Sequence, residues 1–283
     1  MMYQKLPKTY KGAFPFSIGT TSFIYPDGYV PNVETLGPYL DEIELLFLES
    51  APENHLPDEE EISTLGLLAE QYQLTYNIHL PIDLYLGDEN LTDRNRAVDR
   101  LIRITKLVSP LSPSTCTLHL IYDSDNHNLE KVNRWQHNIC DSLSRLLESG
   151  TRAADISIEN LNYPFEWVEK FISEFNFMVC LDFGHIFQYS QRAETILDGY
   201  REKISIIHVN GFEKNRDHIS LDRLTGEQLD LVMNTLHAFR GTVSVEVFSF
   251  EDLKSSLNLL EGCWYNKIGS SHKCVHDNCH LVD

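Results

Sequence analysis

Met178-Val179-Cys180-Leu181-Asp182-Phe183-Gly184-His185 is a short apolar run that stops on a carboxylate and then, one helical turn on, an imidazole. The same design recurs on both sides of it. Upstream lie Ser17–Phe23, ending in small polar residues, Glu42–Phe47 before Glu49, Leu74–Ile78 before His79, Thr115–Leu118 before His119, and Ile156–Ile158 before Glu159. Downstream lie Ile204–Ile207 before His208 and Thr242–Val245 before Glu246. Side chains so far apart in sequence converge only if the runs are strands lying side by side with their C-terminal ends on one rim. That is the architecture of a (β/α)8 barrel, a TIM barrel, and its active site sits at that rim.

The intervals between the runs carry helical signals. Asp58 to Gln71 opens with the acidic turn Glu59–Glu61, which suits the positive end of a helix dipole. Asp93 to Val108 places Val98, Leu101, Ile102, Thr105 and Val108 on one face. Leu129 to Leu147 places Val132, Trp135, Ile139, Leu143 and Leu146 at helical spacing, with Gly150 as a stop. Glu227 to Phe239 and Glu251 to Leu260 continue the series, and shorter helices fit Phe165 to Phe175 and Ala193 to Tyr200. Strand and helix in alternation demand parallel pairing through crossovers. The strands read as unbroken apolar runs, as expected when both faces are covered. A doubly wound open sheet is the competing fold, but Gly19-Thr20-Thr21-Ser22 lacks the phosphate-loop spacing.

At 283 residues the length fits a single barrel, here residues 1–268. The last segment, 269–283, carries His272, Cys274, His276, Cys279 and His280 and reads as a flexible tail; a metal site there is the alternative. The chain has 42 acidic against 23 basic residues, a net charge of −19, which weighs against a nucleic-acid partner because phosphate contacts need clustered Lys and Arg. No run approaches a membrane span, and Met1–Gly12 does not read as a signal peptide. Six cysteines show no disulfide framework, and Cys116 and Cys180 fall within strands, where burial keeps them reduced. A cytoplasmic protein with no membrane partner is the expectation; the oligomeric state is left open.

A lone histidine after a strand is usually packed, and a lone glutamate usually solvated. The set is another matter. His79, His119, Glu159, Asp182, His185, His208, His218 and Glu246 put imidazoles and carboxylates after six successive strands. Such groups are depleted at buried strand ends unless paired or coordinated. Mixed imidazole and carboxylate ligation suits zinc, manganese or iron and argues against calcium. The set exceeds the four or five ligands of one zinc ion, so two or three ions are expected. Two ions sharing a carboxylate suit in-line phosphoryl displacement.

The strand-end series resembles the xylose-isomerase-like barrel superfamily, and its ligands resemble those of the trinuclear-zinc abasic-site endonucleases. That resemblance implies one zinc on His79 and His119, with Glu159 bridging to a second on Asp182, His208 and Glu246. It implies a third on His185 and His218, with an aspartate near His218. The endonucleases place that aspartate in Asp-x-His, whereas Arg216-Asp217-His218 puts Asp217 adjacent, so the third site departs from the pattern. Over the chain to about Leu260, Gly19-Thr20-Thr21-Ser22-Phe23-Ile24-Tyr25-Pro26, Asp41 to Leu46, Tyr76 to Pro81, Leu181 to His185, Asp217 to Leu224 and Val243 to Phe248 are similar to the cobamide-remodelling phosphodiesterases. This second resemblance implies hydrolysis of the phosphodiester in a cobamide nucleotide loop, leaving cobinamide phosphate and a riboside of the lower base.

Glu159, Glu246 and His218 are the candidate catalytic groups, with Glu159 positioning the attacking oxygen. Thr21, Tyr25, Glu49, Asp83, Tyr122, Asn160, Tyr163, Asn210, Phe248 and Phe250 are candidates to line the cavity, and Arg216 is the nearest candidate to clamp a phosphate. Aromatic groups there suit a large, partly apolar corrinoid. Three rivals remain: a sugar isomerase or epimerase using Glu159, Asp182, His208 and Glu246 around one ion, an abasic-site endonuclease, and a non-catalytic corrinoid-binding protein.

Overall fold

The computed structural model of the protein describes residues 3–50, 56–124, 127–214 and 216–276, with side chains as far as 265. Its strands are β1 (Ser17–Thr21), β2 (Glu42–Leu46), β3 (Thr75–His79), β4 (Cys116–Leu118), β5 (Ile156–Glu159), β6 (Met178–Asp182), β7 (Ile204–Val209), β8 (Gly211–Glu213), β9 (Arg216–Ile219) and β10 (Thr242–Val245). Its helices are α1 (Tyr29–Leu36), α2 (Glu59–Tyr72), α3 (Leu91–Val108), α4 (Leu129–Glu148), α5 (Glu169–Phe175), α6 (Phe183–Gln188), α7 (Ala193–Tyr200), α8 (Gly226–Ala238) and α9 (Phe250–His276). Strands β1 to β7 and β10 close into a barrel in the order β1-β10-β7-β6-β5-β4-β3-β2, all parallel, as the sequence predicts. The β8–β9 pair is an antiparallel hairpin set apart from that sheet.

Helix starts follow their capping residues. Asp58 accepts from the Glu61 N–H while the Glu61 side chain accepts from the Asp58 N–H, and Thr225 and Gln228 repeat this box at α8. Asn90 and Asn128 cap α3 and α4. Helix α4 buries Val132, Trp135, Ile139, Leu143 and Leu146, the face its spacing predicts. The main core lies between the helices and the outward face of the strands, where Ile18, Ile43, Leu45, Tyr76, Ile78, Leu118, Ile158, Val179, Leu181, Ile207, Val243 and Val245 pack.

The inward face is different, and it corrects the reading of the strands as uniformly apolar. Glu42, Glu44, Asn77, Thr117, Ser157, Thr242 and Ser244 are buried polar residues at alternate strand positions. At the N-terminal end of the barrel, Glu42 accepts from Thr75 Oγ1 (2.6 Å), Asn77 Nδ2 (2.8 Å), Ser114 Oγ (2.7 Å) and Thr242 Oγ1 (3.1 Å). A fully bonded carboxylate of this kind can be buried without the desolvation penalty of an orphan. The gap that lets Glu42 reach Thr242 across β1 is Gly19, where a Cβ would sit 2.8 Å from the Glu42 carbonyl oxygen.

Three further features are not anticipated by the sequence reading: helix α1, the short helix α6 that starts on Asp182, and the β8–β9 hairpin. Helix α9 runs on to His276, so the segment expected to begin a tail at 269 continues that helix. His272, Cys274 and His276 fall on its end, and Cys279 and His280 lie outside the described residues. No described helix is long and apolar enough to cross a membrane. Cys116 and Cys180 are buried free thiols.

Candidate metal centre

The C-terminal rim gathers the strand-end groups around Glu159, the last residue of β5. Its Oε2 lies 2.7 Å from His119 Nε2 and 3.5 Å from His79 Nε2. Its Oε1 lies 3.4 Å from His185 Nδ1 and 3.6 Å from His208 Nδ1. Burial alone would push the Glu159 carboxyl up; the facing imidazoles of His119, His208 and His79 outweigh it and hold the group well below the usual carboxylate range. Glu246 follows the same logic, with His208 Nδ1 at 3.2 Å and His218 Nε2 at 3.5 Å from its Oε2. Asp182, fully buried, has its pKa pushed up to about 6, chiefly by burial.

Three ligand groups include Glu159. His79, His119 and Glu159 form one; Glu159, Asp182, His208 and Glu246 form another, which Glu159, Cys180 and His208 overlap, and in each the ligating atoms lie within 4.8 Å of one another. Asp182 Oδ2, Glu246 Oε2 and both ring nitrogens of His208 are buried with no hydrogen-bond partner. Each such orphan costs roughly 1–3 kcal/mol, and more when charged. A divalent cation among them would satisfy Asp182, Glu246 and His208 Nδ1 at once, so the residues fit the metal that their chemistry implies.

Neighbouring backbone fixes how the histidines point. His79 Nδ1 lies 3.0 Å from the Leu80 carbonyl and His185 Nδ1 2.9 Å from the Asn160 carbonyl, which leaves each Nε2 free to ligate. Asn160 also clasps β6: its Nδ2 donates to the Asp182 carbonyl (3.0 Å) and its Oδ1 accepts from the Asp182 N–H (2.8 Å). Asp182 Oδ1 in turn accepts from the His185 N–H (2.6 Å) as the cap of α6. One residue thus ends a strand, starts a helix and offers its second oxygen to the site.

The third expected subsite is looser. His218 sits on β9 with φ at 51°, an uncommon left-handed conformation for a residue with a side chain. It stacks on Phe248 with ring centroids 4.9 Å apart. Asp217 Oδ1 faces His218 Nδ1 at 3.3 Å, so Asp217 meets the site through the histidine. Burial disfavours charge on His218, but Glu246 overrides it and raises the pKa to about 10. His185, Asp217 and His218 belong to none of the tight groups.

The expected lining residues divide into two sets. Thr21 donates to the Val247 carbonyl (2.9 Å), Tyr25 to the Gln4 carbonyl (2.6 Å) and Tyr163 to the Leu120 carbonyl (2.6 Å), so these polar groups tie loops together. Asp83 accepts from the Ser50 N–H and hydroxyl, Tyr122 packs edge-on against Trp135 and Trp167, and Phe250 packs on Tyr25. Asn210 lies beneath the hairpin, with its Oδ1 3.4 Å from the His218 N–H. Phe248, Glu49 and Arg216 are the exposed members. The sequence reading passed over Glu44, which is fully buried and belongs to a further group with His79 and Glu246. The alternation Glu42-Ile43-Glu44-Leu45 was its signal: both acids fall on one face of a strand.

Parallel barrel and buried His–carboxylate rim together define a TIM-barrel protein with a candidate metal centre at its C-terminal rim. The chain belongs to the xylose isomerase-like TIM barrel family, whose model matches residues 32–263. It is similar in structure to a D-tagatose 3-epimerase-like protein (TM-score 0.71, 17% identity, 91% of this chain and 99% of that one). It is also similar to endonuclease IV from Thermus thermophilus (TM-score 0.68, 17% identity, 89% and 99%) and to 3-keto-D-glucoside 4-epimerase from E. coli (TM-score 0.65, 14% identity, 88% and 100%). At these identities the likeness speaks to fold alone. No curated protein matches the sequence.

Proposed function

We propose that the protein is a metal-dependent phosphodiesterase acting on the nucleotide-loop phosphodiester of cobamides. The observation that carries this is the pair of ligand groups joined at Glu159. A single-ion isomerase needs only the Glu159, Asp182, His208 and Glu246 group, which leaves His79 and His119 unexplained. Divalent ions held there would supply Lewis-acid charge to a phosphoryl oxygen and lower the pKa of water. Glu159, ionised and central, orients the attacking oxygen. His218, protonated and braced by Asp217, is the reserve from which the departing oxygen gains a proton. The mouth supports a bulky, partly apolar substrate: Phe23, Leu48, Ile82 and Phe248 are each about 40% exposed on the loops after β1, β2, β3 and β10. The acidic balance argues against DNA as the substrate.

A second reading, a single-metal sugar epimerase, is favoured by the self-sufficiency of the four-residue group and by the named epimerase neighbours. One experiment separates them. Metal-loaded protein is incubated with adenosylcobalamin, and products are followed by liquid chromatography and mass spectrometry beside a metal count. Cobinamide phosphate and the free riboside, with two or more ions per chain, are expected. Intact cobamide, with one ion per chain and turnover of a ketose, would replace the proposal with the epimerase.

A further inference from the structure

We propose that Glu44, in the middle of β2, is the positioning residue that aims His208 at the metal; this rests on the metal-centre reading but not on the substrate. His208 Nδ1 faces the rim groups, 3.2 Å from Glu246, 3.6 Å from Glu159 and 3.8 Å from Asp182. Its Nε2 faces the other way, into the barrel, 3.5 Å from Glu44 Oε1. Both Glu44 Oε1 and His208 Nε2 are buried with no hydrogen-bond partner, and both side chains are wholly shielded from solvent. Two orphans pointing at each other are a donor and an acceptor in waiting. A carboxylate behind a ligating imidazole fixes the proton on the far nitrogen, holds the ring plane and makes the near nitrogen a better ligand.

The rest of the pocket supports this arrangement. Ser244 on β10 donates to Glu44 Oε2, which leaves Oε1 for the histidine. Thr21 on β1 lies beside Glu44 in register, but its hydroxyl is committed to the Val247 carbonyl and does not compete. Cys180 also comes within reach of His208, yet a thiol is a weak acceptor beside a carboxylate. Glu44 therefore fixes the Nε2–H tautomer of His208 from one layer below the rim.

The test is metal affinity and cobalt(II) absorption, measured on the whole protein for Glu44→Ala, Glu44→Gln and Ser244→Ala against wild type. Glu44→Ala is expected to weaken cobalt and zinc binding by roughly 10–100-fold and to shift the d–d bands, with the same number of ions bound at saturation. Glu44→Gln keeps an acceptor oxygen at the same reach and is expected to restore affinity to within a few fold. Ser244→Ala, which frees the carboxylate to turn, is expected to fall between them. Unchanged affinity and spectrum in a folded Glu44→Ala protein would overturn the proposal. So would loss of one whole ion at saturation, which would make Glu44 a direct ligand with His79 and Glu246. If Glu44→Ala fails to fold, wild-type affinity in Ser244→Ala together with a large loss in Glu44→Gln gives the same negative answer. Cobamide cleavage enters none of these readouts, so failure of the proposed function would leave the result standing.

Discussion

Glu159 is the residue on which the site turns, because four imidazoles from four elements face its two oxygens. Glu159→Gln keeps the shape and removes the charge that holds the two ligand groups together. Turnover is expected to fall by more than the 10–100-fold typical of a lost outer-shell partner, with the fold intact by circular dichroism and fewer ions bound. Near-normal turnover with full metal loading would remove Glu159 from the centre. His218 supplies a pH prediction for the metal-free protein. Its pKa rises from 6.5 to about 10 on folding, so its contribution to stability is complete below 6.5 and is lost as pH climbs through about 10. The denaturation midpoint of chelator-treated protein should therefore decline across that window. His218→Gln should flatten the slope without abolishing it, because His79, His185 and His208 are raised too. An equal slope in wild type and variant would show that His218 is not held protonated. Strand-end candidates such as His79, His208 and Glu246 are legible in sequence because they break an apolar run. Glu44 is not legible that way, since it sits inside its strand, where only the period-2 alternation betrays it.

Among elements, the β8–β9 hairpin is the one that decides where His218 stands. It carries His218 over Glu246, and its base is closed at Gly211, which pairs with Ile219 and where a Cβ would come within 2.0 Å of the Ser220 carbonyl oxygen. That obstacle is backbone and cannot rotate away. Gly211→Ala should splay the two strands of the hairpin and draw His218 off Glu246, at a cost of about 1–3 kcal/mol. Circular dichroism of the barrel should hold while activity drops because the proton source is displaced; full activity would show that the closure of the hairpin is unimportant. The hairpin escapes a sequence reading because its strands are short and polar, and Asp217-His218 then reads only as a displaced motif. The barrel strands and long helices are legible because each satisfies a period along its whole length, with caps such as Asp58 and Thr225 marking the starts. Helix α6 hides because its cap, Asp182, is also a site residue and its length is a turn and a half.

For the whole molecule, the barrel surrounds a charge problem that a cation would solve. Glu44, Glu159, Asp182 and Glu246 are buried together in a chain of net charge −19, and the imidazoles among them leave several atoms without partners. Closing eight strands around such a centre would make metal occupancy part of the fold's stability, since an ion that binds only the folded state stabilises it by mass action. At free metal about a hundredfold above its dissociation constant the gain is about 2.7 kcal/mol per site. For a domain of this size that corresponds to roughly 5–10 °C in thermal midpoint. Stripping the protein with a chelator should lower the calorimetric midpoint by about that amount for each ion removed, and readdition of zinc or manganese should restore it. The shift should be smaller in Glu159→Gln, which lacks the shared ligand. If metal analysis shows the ions gone and the midpoint has not moved, the buried histidines and carboxylates balance one another without a cation, and the assignment of this rim as a metal centre fails with them.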